Sequence, residues 1–470
     1  MEKPPRRRAD ASGHALDLFL SRFSPGAMTE CSCGRPHEIK TRVVLVKSGA
    51  VAEIPSVLAR LRLTGKVVVT FDTQVRPIAQ AKVLPVLAAA GVPFDTVCLE
   101  PFSVDAEIQA DLVTAGELMR RLPEDVGLLM AVGSGTMNDL AKYAAAVRGL
   151  PYVSVASAGS MNGYTSSITA LADGLFKTTQ ETNPAVAVIA DVDILKDAPL
   201  RMTRAGLGDL VSKWVCNADW KLSNLVRKTY FCDVPFGLIR QQEKYYMTHA
   251  AELGRSDASA VQALAEAIMI SGFSMSIVGV SSPSSGAEHL IGHSWEMRNH
   301  LGLLPGAPRL HGAQVGVATC MMVRLYEMVA ELDPRSIEAR EAAARYPTWD
   351  EIERRVKAYY GPIAPKVLEE SRQKYPERHE LELELEWVLG NWSRLWKQLK
   401  RYRKSSTELV DVLTAACAPC RPADLDIGRD ETLQAILHAR YMRTRYTILD
   451  FAEALGVLDY LAVKLCDEYC

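Results

Sequence analysis

The feature that most constrains this chain is an alternation of two patterns between Arg42 and about Leu200. Five short runs rich in β-branched and apolar residues are typical of buried strands: Arg42–Val46, Lys66–Thr70, Asp95–Leu99, Val126–Val132 and Pro151–Val155. Three segments between them carry apolar residues at helical spacing: Ala50–Leu63, Ile78–Ala90 and Asp105–Leu122. This alternation of strands and helices predicts an α/β fold with a parallel, doubly wound sheet.

The pattern changes after Pro199, where helix-favouring Ala, Leu, Glu, Lys and Arg dominate and the apolar period becomes 3.6. We therefore expect an N-terminal extension (residues 1–40), an α/β region (residues 41–199) and an all-helical region (residues 200–470). The charged stretch Arg372–Glu386 pairs opposite charges at helical spacing, which is typical of a solvated helix face.

Composition excludes several classes of partner. The formal net charge of -2 gives no overall electrostatic case for binding nucleic acid or an anionic membrane. We find no run close to the roughly twenty apolar residues of a membrane span, and the patch Leu16–Leu20 is too short for a signal peptide. Ten scattered cysteines indicate reduced thiols, so we expect a cytoplasmic protein.

Two close cysteine pairs raise the question of structural zinc. They are Cys31-x-Cys33 and Cys417-x-x-Cys420, with Cys466 and Cys470 at the C-terminus. A structural zinc would need four ligands from distant segments, and the spacing does not resemble a zinc finger. From the sequence we interpret these residues as packed or surface thiols.

A glycine loop, Gly133-Ser134-Gly135, follows the predicted strand Val126–Val132. A helix should begin over Thr136–Lys142, with Thr136 or Asn138 as its cap. Backbone N–H groups and the helix dipole there suit a pyrophosphate. Because the spacing matches neither the Rossmann fingerprint nor a P-loop, a purely structural tight turn is the alternative.

Polar residues also follow two other predicted strands. The segment from Ser157 to Ser167 concentrates hydroxyls and amides after Pro151–Val155, and Asp72 follows Lys66–Thr70. Ligands of open α/β sheets lie at the carboxyl ends of strands, so both loops could flank one cofactor, with Asp72 accepting hydrogen bonds from a ribose. The alternatives are a solvated Ser/Gly turn for the first loop and an ordinary turn or cap aspartate for Asp72.

A carboxylate and three imidazoles in the helical region suggest a divalent metal: Asp209, His289, His293 and His311. His289 and His293 are four residues apart and share one face of a helix. Four of the nine histidines lie between His289 and His311, and nitrogen with carboxylate ligands suits borderline metals.

Several stretches together resemble the sn-glycerol-1-phosphate dehydrogenase family, bacterial branch, of the dehydroquinate synthase-like and metal-dependent alcohol dehydrogenase superfamily. The resemblance runs in order from about Arg42 to Glu331 and rests on residues 133–139, 160–166, 190–195, 208–209, 286–289 with His293, and 311–317.

The resemblance implies a Rossmann-like nucleotide domain followed by a helical metal domain, with the active site between them. It places one zinc or nickel ion on Asp209, His289 and His311, with Asp209 also catalytic. It makes His293 a catalytic residue that contacts substrate, and either His293 or water would supply the proton. It implies reversible reduction of dihydroxyacetone phosphate to sn-glycerol 1-phosphate, with NAD(H) or NADP(H), in a homodimer. The expected cofactor residues, from the loops and the resemblance together, are Asp72, Gly133, Gly135, Thr136, Met137, Asn138, Asp139, Ser157, Ser160 and Ser166.

One departure from the family concerns Asn162, which stands where an aspartate usually contacts substrate, so we include it among the catalytic residues. Asparagine is nearly isosteric but removes a charge and adds N–H donors. Two alternatives stay open: a sugar-phosphate cyclase of the dehydroquinate synthase type, and a catalytically silent homologue that binds nucleotide or metal. Lys213 is a first guess for the phosphate ligand, and the segment beyond Glu331 has no assigned role.

Overall fold

A computed structural model of the protein describes Leu16, Leu20, Gly26 and residues 28–102, 107–174 and 176–470. Most of the predicted N-terminal extension, including Met1–Asp10, lies outside these residues, and so does Asp105. The helix predicted from Asp105 begins only at Leu112, because the Asp111 side chain caps it by accepting the Thr114 N–H. Within them the strands are β1 Met28–Thr29, β2 His37–Glu38, β3 Val43–Lys47, β4 Lys66–Asp72, β5 Phe94–Leu99, β6 Val126–Gly133, β7 Tyr152–Ala156, β8 Ile168–Asp173, β9 Phe176–Glu181 and β10 Ala187–Asp191.

Six of these strands form one parallel sheet, in the order β3-β10-β7-β6-β4-β5. This confirms the predicted α/β sheet and all five predicted strands. The sixth strand, β10, was missed because five apolar residues cannot be told from a buried helical turn by periodicity. The chain runs from β4 outward to β5 but from β6 back to β7, so the strand order reverses between β4 and β6.

Both faces of the sheet are buried, as expected for parallel strands. Val67, Val69 and Phe71 of β4 pack on one side with α1 (Ile54–Arg60) and α2, a helix made of Arg76–Ile78, a π turn Ala79–Val83 and Leu84–Ala89. Val68 belongs to a second core on the other side, which contains α3 (Leu112–Arg121) and α4 (Gly135–Arg148) and continues into the helical region.

The chain after β10 is helical, as predicted. Its α-helices are α5 Val192–Leu195, α6 Leu200–Val211, α7 Lys213–Arg227, α8 Asp233–Thr248, α9 Ala250–Leu253, α10 Ala258–Val278, α11 Ala287–His300, α12 His311–Ala330, α13 Ala339–Arg345, α14 Trp349–Tyr360, α15 Ala364–Arg372, α16 Arg378–Gly390, α17 Trp392–Leu399, α18 Ser406–Ala415, α19 Arg429–His438, α20 Ile448–Ala454 and α21 Leu458–Tyr469.

Glycines let α6 and α12 cross in backbone contact. A Cβ on Gly208 would lie 2.1 Å from the carbonyl oxygen of Gly312, and one on Gly312 would lie 2.0 Å from that of Ala205. Only hydrogen fits at these positions, since real Cβ atoms do not approach oxygen so closely. The crossing places Asp209 of α6 next to the first turn of α12, where His311 lies.

One helix differs from the expectation that no segment is long and apolar enough for a membrane span. Among the described residues, α10 is long and apolar enough by length and composition, with 21 residues and a mean hydropathy of 1.5. Its few polar residues are spread along the helix and lower this mean only slightly. In the structure 83% of its most apolar window is buried, so it is a core helix, against which α8 packs.

Candidate active site

Nine of the predicted site residues line one cavity between the sheet and the helical region. Its volume is about 1380 Å³. The predicted residues that line it are Gly135, Thr136, Asp139, Ser160, Asn162, Ser166, His289, His293 and His311. Loops after β6 and β7 form one wall, and α11 and the start of α12 form the other.

The N-terminus of α4 opens on this cavity. The helix begins at Gly135, with Ser134 as its N-cap, so Thr136 and Asn138 lie inside the helix and neither is the predicted cap. Ser134 makes no side-chain capping hydrogen bond. The N–H groups of a first helical turn have no partner within the helix, so they can bind an anion such as a pyrophosphate.

Four predicted cofactor residues of these loops do not line the cavity: Gly133, Met137, Asn138 and Ser157. Met137 packs under Gly133, where a Cβ would come within 2.5 Å of the methionine Cβ. Asn138 is buried and accepts a hydrogen bond from Ser154 at 3.1 Å. The Ser157 N–H donates to the Gly133 carbonyl at 3.0 Å, which ties the two loops together. These residues shape the loops.

Asp72 lies at the end of β4, beside the reversal point of the strand order, where ligands of such sheets usually bind. Its Oδ1 accepts hydrogen bonds from the backbone N–H groups of Gln74 and Val75, at 2.9 and 3.0 Å. These two bonds form a turn, and Asp72 does not line the cavity. Its ribose contact stays a prediction.

Sequence reasoning missed a buried lysine that supports the second loop. Lys142 of α4 donates to the carbonyl oxygens of Gly163 and Ile168, at 2.7 and 3.0 Å. Its Nζ lies 3.5 Å from Asp139 Oδ1, and burial lowers the pKa of Lys142. The sequence showed Lys142 only as a polar residue in a predicted helix. Its role depends on carbonyl groups that lie 21 and 26 residues later.

Asp209 lies at the floor of the metal-type cluster and is almost fully buried. Its Oδ2 accepts the backbone N–H of Asn162 at 3.0 Å, and its Oδ1 forms an ion pair with Lys213 Nζ at 2.9 Å. Lys213 also contacts Ser212, and it does not line the cavity. The ammonium group is thus committed to Asp209, and the guess that Lys213 binds phosphate finds no support here.

The three histidines face one another above Asp209. Ring centroids lie 6.0 Å apart for His289 and His293, 5.1 Å for His289 and His311, and 5.2 Å for His293 and His311. His289 Nε2 lies 3.8 Å from Asp209 Oδ1. The predicted shared helix face of His289 and His293 is therefore present, and the α6–α12 crossing adds His311.

Two glutamates that the sequence did not single out orient these rings. Glu296 accepts from Nδ1 of His311 at 2.7 Å and from Nδ1 of His293 at 3.0 Å. Glu288 Oε1 lies 2.7 Å from His289 Nδ1 and also accepts the Gly286 N–H at 2.9 Å, so the imidazole is the donor. Nδ1–H donation to a carboxylate leaves Nε2 as the coordinating nitrogen of a neutral ring.

Burial and the neighbouring positive groups lower the pKa of His289 well below its usual value. Burial together with Asp219 raises the pKa of Glu288 to about 8. Both directions favour a pair without net charge near pH 7. A neutral imidazole is the form that binds a metal ion.

The donor set fits a borderline divalent metal. It offers one carboxylate and imidazoles whose Nδ1 atoms are held by carboxylates, the usual arrangement at zinc sites. His293, Glu296 and His311 also place three donor atoms within 4.8 Å of one another. Glu296 accepts from Nδ1 of both His293 and His311, so it can orient these rings. The expected ligand set of Asp209, His289 and His311 stays a prediction.

Arg445 reaches the cavity from beyond Glu331, where no motif was recognised. Its guanidinium donates to the hydroxyl groups of Ser285 and Ser281, both at 2.7 Å, and lines the same cavity as the histidines. Among the described residues it takes part in no salt bridge. Burial lowers its pKa, but an arginine stays protonated near pH 7.

Asn162 contacts the site with its backbone and side chain. While its N–H binds Asp209, its Nδ2 donates to Ser271 Oγ at 3.1 Å. The carboxamide is thus held by α10 at the edge of the cavity. An aspartate would accept from Ser271 in the same place, so the departure from the family changes charge more than shape.

Comparison with known proteins places this chain in a family. The family described as iron-containing alcohol dehydrogenase matches residues 45–199. The glycerol-1-phosphate dehydrogenase [NAD(P)+] of Halalkalibacterium halodurans is 31% identical over 301 residues, which is 64% of this chain and 74% of that protein. The chain belongs to the glycerol-1-phosphate dehydrogenase family. It is therefore an oxidoreductase.

Glycerol-1-phosphate dehydrogenases similar to this chain occur in distant organisms. The protein so named in Thermococcus kodakarensis is 31% identical, over 61% of this chain and 78% of that protein. The fold is shared more widely. A probable glycerol dehydrogenase from Sinorhizobium meliloti 1021 superposes with a TM-score of 0.56 at 14% identity, over 90% of this chain and 98% of that structure.

Proposed function

We propose that this member of the glycerol-1-phosphate dehydrogenase family reversibly reduces dihydroxyacetone phosphate to sn-glycerol 1-phosphate with NADH or NADPH. The observation that carries the substrate assignment is Arg445, a cation held by two neutral serines beside the histidine cluster. A partly buried charge without a counter-ion favours an anionic ligand, and guanidinium binds phosphate in a bidentate manner.

We further propose that Asp209, His289 and His311 hold one zinc or nickel ion. Such an ion, when bound, polarises a substrate carbonyl and stabilises negative charge on its oxygen. The chain's own contribution is to fix the ligands: Glu288 and Glu296 orient the imidazoles, and Asn162 orients Asp209 through its N–H.

The nicotinamide dinucleotide, which supplies the hydride, has its expected pyrophosphate site at the N-terminus of α4. Ser160 and Ser166 line the cavity between this helix and the histidines. His293, oriented by Glu296, is the residue we assign to deliver the proton that the product hydroxyl needs.

Arg445 gives the sharpest test of the substrate class. Arg445→Met should lower kcat/KM for dihydroxyacetone phosphate about 100-fold, because a charged hydrogen bond contributes roughly 1.5–3 kcal/mol. It should change kcat/KM for unphosphorylated dihydroxyacetone little. Initial rates with both ketones, followed by cofactor absorbance, measure the difference, and Arg445→Lys should keep part of the preference.

Lys366→Met is the matched control, since Lys366 lines the same cavity but already pairs with Glu369 at 2.7 Å. It should alter neither rate much. Equal losses for both ketones in Arg445→Met would show that the residue does not bind phosphate and would remove the basis for a phosphorylated substrate.

Two alternatives stay distinguishable. A sugar-phosphate cyclase would keep its cofactor through the cycle, so it would show no net oxidation of NADH or NADPH. A silent homologue would bind nucleotide or metal without turnover, and Asn162→Asp would be the first variant to restore activity. A cytoplasmic location and a homodimer stay predictions from the sequence.

A further inference from the structure

A second group of metal-type side chains lies away from the cavity. Cys31, Cys33 and His37 belong to the segment that carries the β1–β2 pair, and Cys232 directly precedes α8. One ligand atom from each of the four lies within 4.8 Å of the other three. Cys31 and Cys232 are 201 residues apart in sequence, so the fold alone brings them together.

The distances match a tetrahedron of metal ligands. The Sγ atoms of Cys31 and Cys232 are 3.8 Å apart, and His37 Nε2 lies 3.4 Å from the Sγ atoms of both Cys33 and Cys232. A tetrahedral zinc with ordinary bond lengths requires about 3.8 Å between sulfurs and about 3.5 Å between sulfur and nitrogen.

Neighbouring groups orient the donors. His37 Nδ1 lies 2.8 Å from the carbonyl oxygen of Ile277 in α10, which fixes Nδ1 as the donor and turns Nε2 to the cysteines. The backbone N–H of Cys33 points at Cys31 Sγ at 3.5 Å, and the Tyr230 hydroxyl lies 3.4 Å from Cys33 Sγ. His37 and Cys232 are buried, whereas Cys31 and Cys33 are partly buried.

A disulfide does not explain the group. All of these cysteines are free, and 3.8 Å between Cys31 and Cys232 is far longer than the about 2.05 Å of a disulfide bond. Simple packing does not explain it either, because an imidazole nitrogen aimed at two thiols gains little in a merely apolar cluster. Three thiols and one imidazole form a common set of ligands for structural zinc.

We propose that Cys31, Cys33, His37 and Cys232 bind a structural zinc ion that fastens the N-terminal segment to the helical region. On binding, the thiols lose their protons to solvent and the sulfurs coordinate the metal, with no change of oxidation state. Four protein ligands complete a tetrahedron and leave no position for substrate. The ion therefore ties residues 31–37 to the turn before α8 and, through His37, to α10.

This inference revises our interpretation of Cys31 and Cys33 as ordinary thiols. The four ligands do come from distant segments, and the structure places Cys232 and His37 beside the Cys31-x-Cys33 pair. A CxC pair followed four residues later by histidine was the only local signal.

Cobalt substitution of the full-length protein tests the proposal. After chelation and reloading, cobalt bound by thiolates should give charge-transfer absorption in the near ultraviolet, together with the intense visible bands of a tetrahedral site. Cys33→Ser, at a partly exposed ligand, should lose most of this absorption and one tightly bound zinc per chain in native mass spectrometry. Cys33→His, which keeps a ligand, should retain the zinc.

Cys417→Ser is the matched control, because Cys417 is exposed and outside the group, and it should keep both signals. His289→Ala should also keep the thiolate absorption, which separates this site from the proposed catalytic metal. Absence of thiolate absorption in the cobalt-loaded protein would overturn the proposal. An unchanged zinc count in a folded Cys33→Ser protein, or a Cys31–Cys232 disulfide in the isolated protein, would do the same.

Discussion

The histidine cluster of the cavity and the cysteine cluster of the N-terminal segment differ in what surrounds their donor atoms. The histidines line a cavity of about 1380 Å³, whereas Cys31, Cys33, His37 and Cys232 surround one point with four protein donors. Catalytic metal sites keep a position for substrate and structural sites do not. The surroundings of the donor atoms, more than the types of ligand, therefore distinguish the proposed catalytic site from the proposed structural site.

The two clusters also differ in their supporting groups. Carboxylates, Glu288 and Glu296, hold the histidine rings, while a backbone carbonyl, that of Ile277, holds His37. Carboxyl partners can raise the basicity of a histidine ligand. A neutral carbonyl mainly fixes orientation, which suits a site that holds a segment in place.

The largest expected effect comes from variants of the histidine cluster, which should abolish its function and leave the cysteine cluster unchanged. His289→Ala or Asp209→Asn should lower kcat about 1000-fold or more, since loss of the metal removes several kcal/mol of charge stabilisation. The thiolate absorption of the cobalt-loaded protein should not change. Steady-state kinetics and the cobalt spectrum of the same preparation measure both. Loss of the thiolate bands in His289→Ala would show that the two clusters are not independent sites.

A smaller effect is expected from Glu296→Gln. A carboxylate accepts from both His293 and His311, but a carboxamide has only one oxygen, so one ring loses its acceptor. Affinity for the cavity metal should fall roughly 10- to 100-fold. Competition with a chelator measures this affinity. Glu353→Gln, at an exposed residue paired with Lys357, is the control, and equal affinities in both variants would refute the orienting role.

The smallest effect concerns the crossing that brings Asp209 to His311. Gly208→Ala places a Cβ 2.1 Å from the Gly312 carbonyl oxygen, and overpacking of this kind lowers the free energy of unfolding by about 1–3 kcal/mol. Chemical denaturation measures the change. Gly237→Ala in α8 has open space around its Cβ and should instead raise stability by roughly 0.5–1 kcal/mol. A stable Gly208→Ala protein with full metal affinity would refute the crossing argument.

Local patterns in the sequence were enough to predict most of the sheet. β3 to β7 and the helices beside them follow from alternating apolar periods, because each element buries its own face. The start of α4 at Gly135 was shifted from the predicted caps, since tertiary packing of Met137 under Gly133 decides where the helix begins. The hairpin of β8 and β9 and the strand β10 carry no comparable pattern.

The site was predictable where its residues lie in motifs and not where distant segments meet. Asp209, His289, His293 and His311 were found from residue type and spacing, and the structure brings them together. Arg445 lies 160 residues from Ser285, and Cys232 lies 201 residues from Cys31. No local period in the sequence could indicate contacts over such separations. Lys213 was misjudged because a buried ion pair with Asp209 is invisible in sequence.

The central claim is that the cavity metal and Arg445 together act on a phosphorylated ketone. The most direct test supplies zinc- or nickel-loaded protein with dihydroxyacetone phosphate and each reduced nicotinamide, and determines the chirality of the glycerol phosphate formed. Metal-dependent oxidation of NADH or NADPH that yields the sn-1 enantiomer is the predicted result. No oxidation by protein that demonstrably binds metal and cofactor, or formation of the sn-3 enantiomer, would contradict the account.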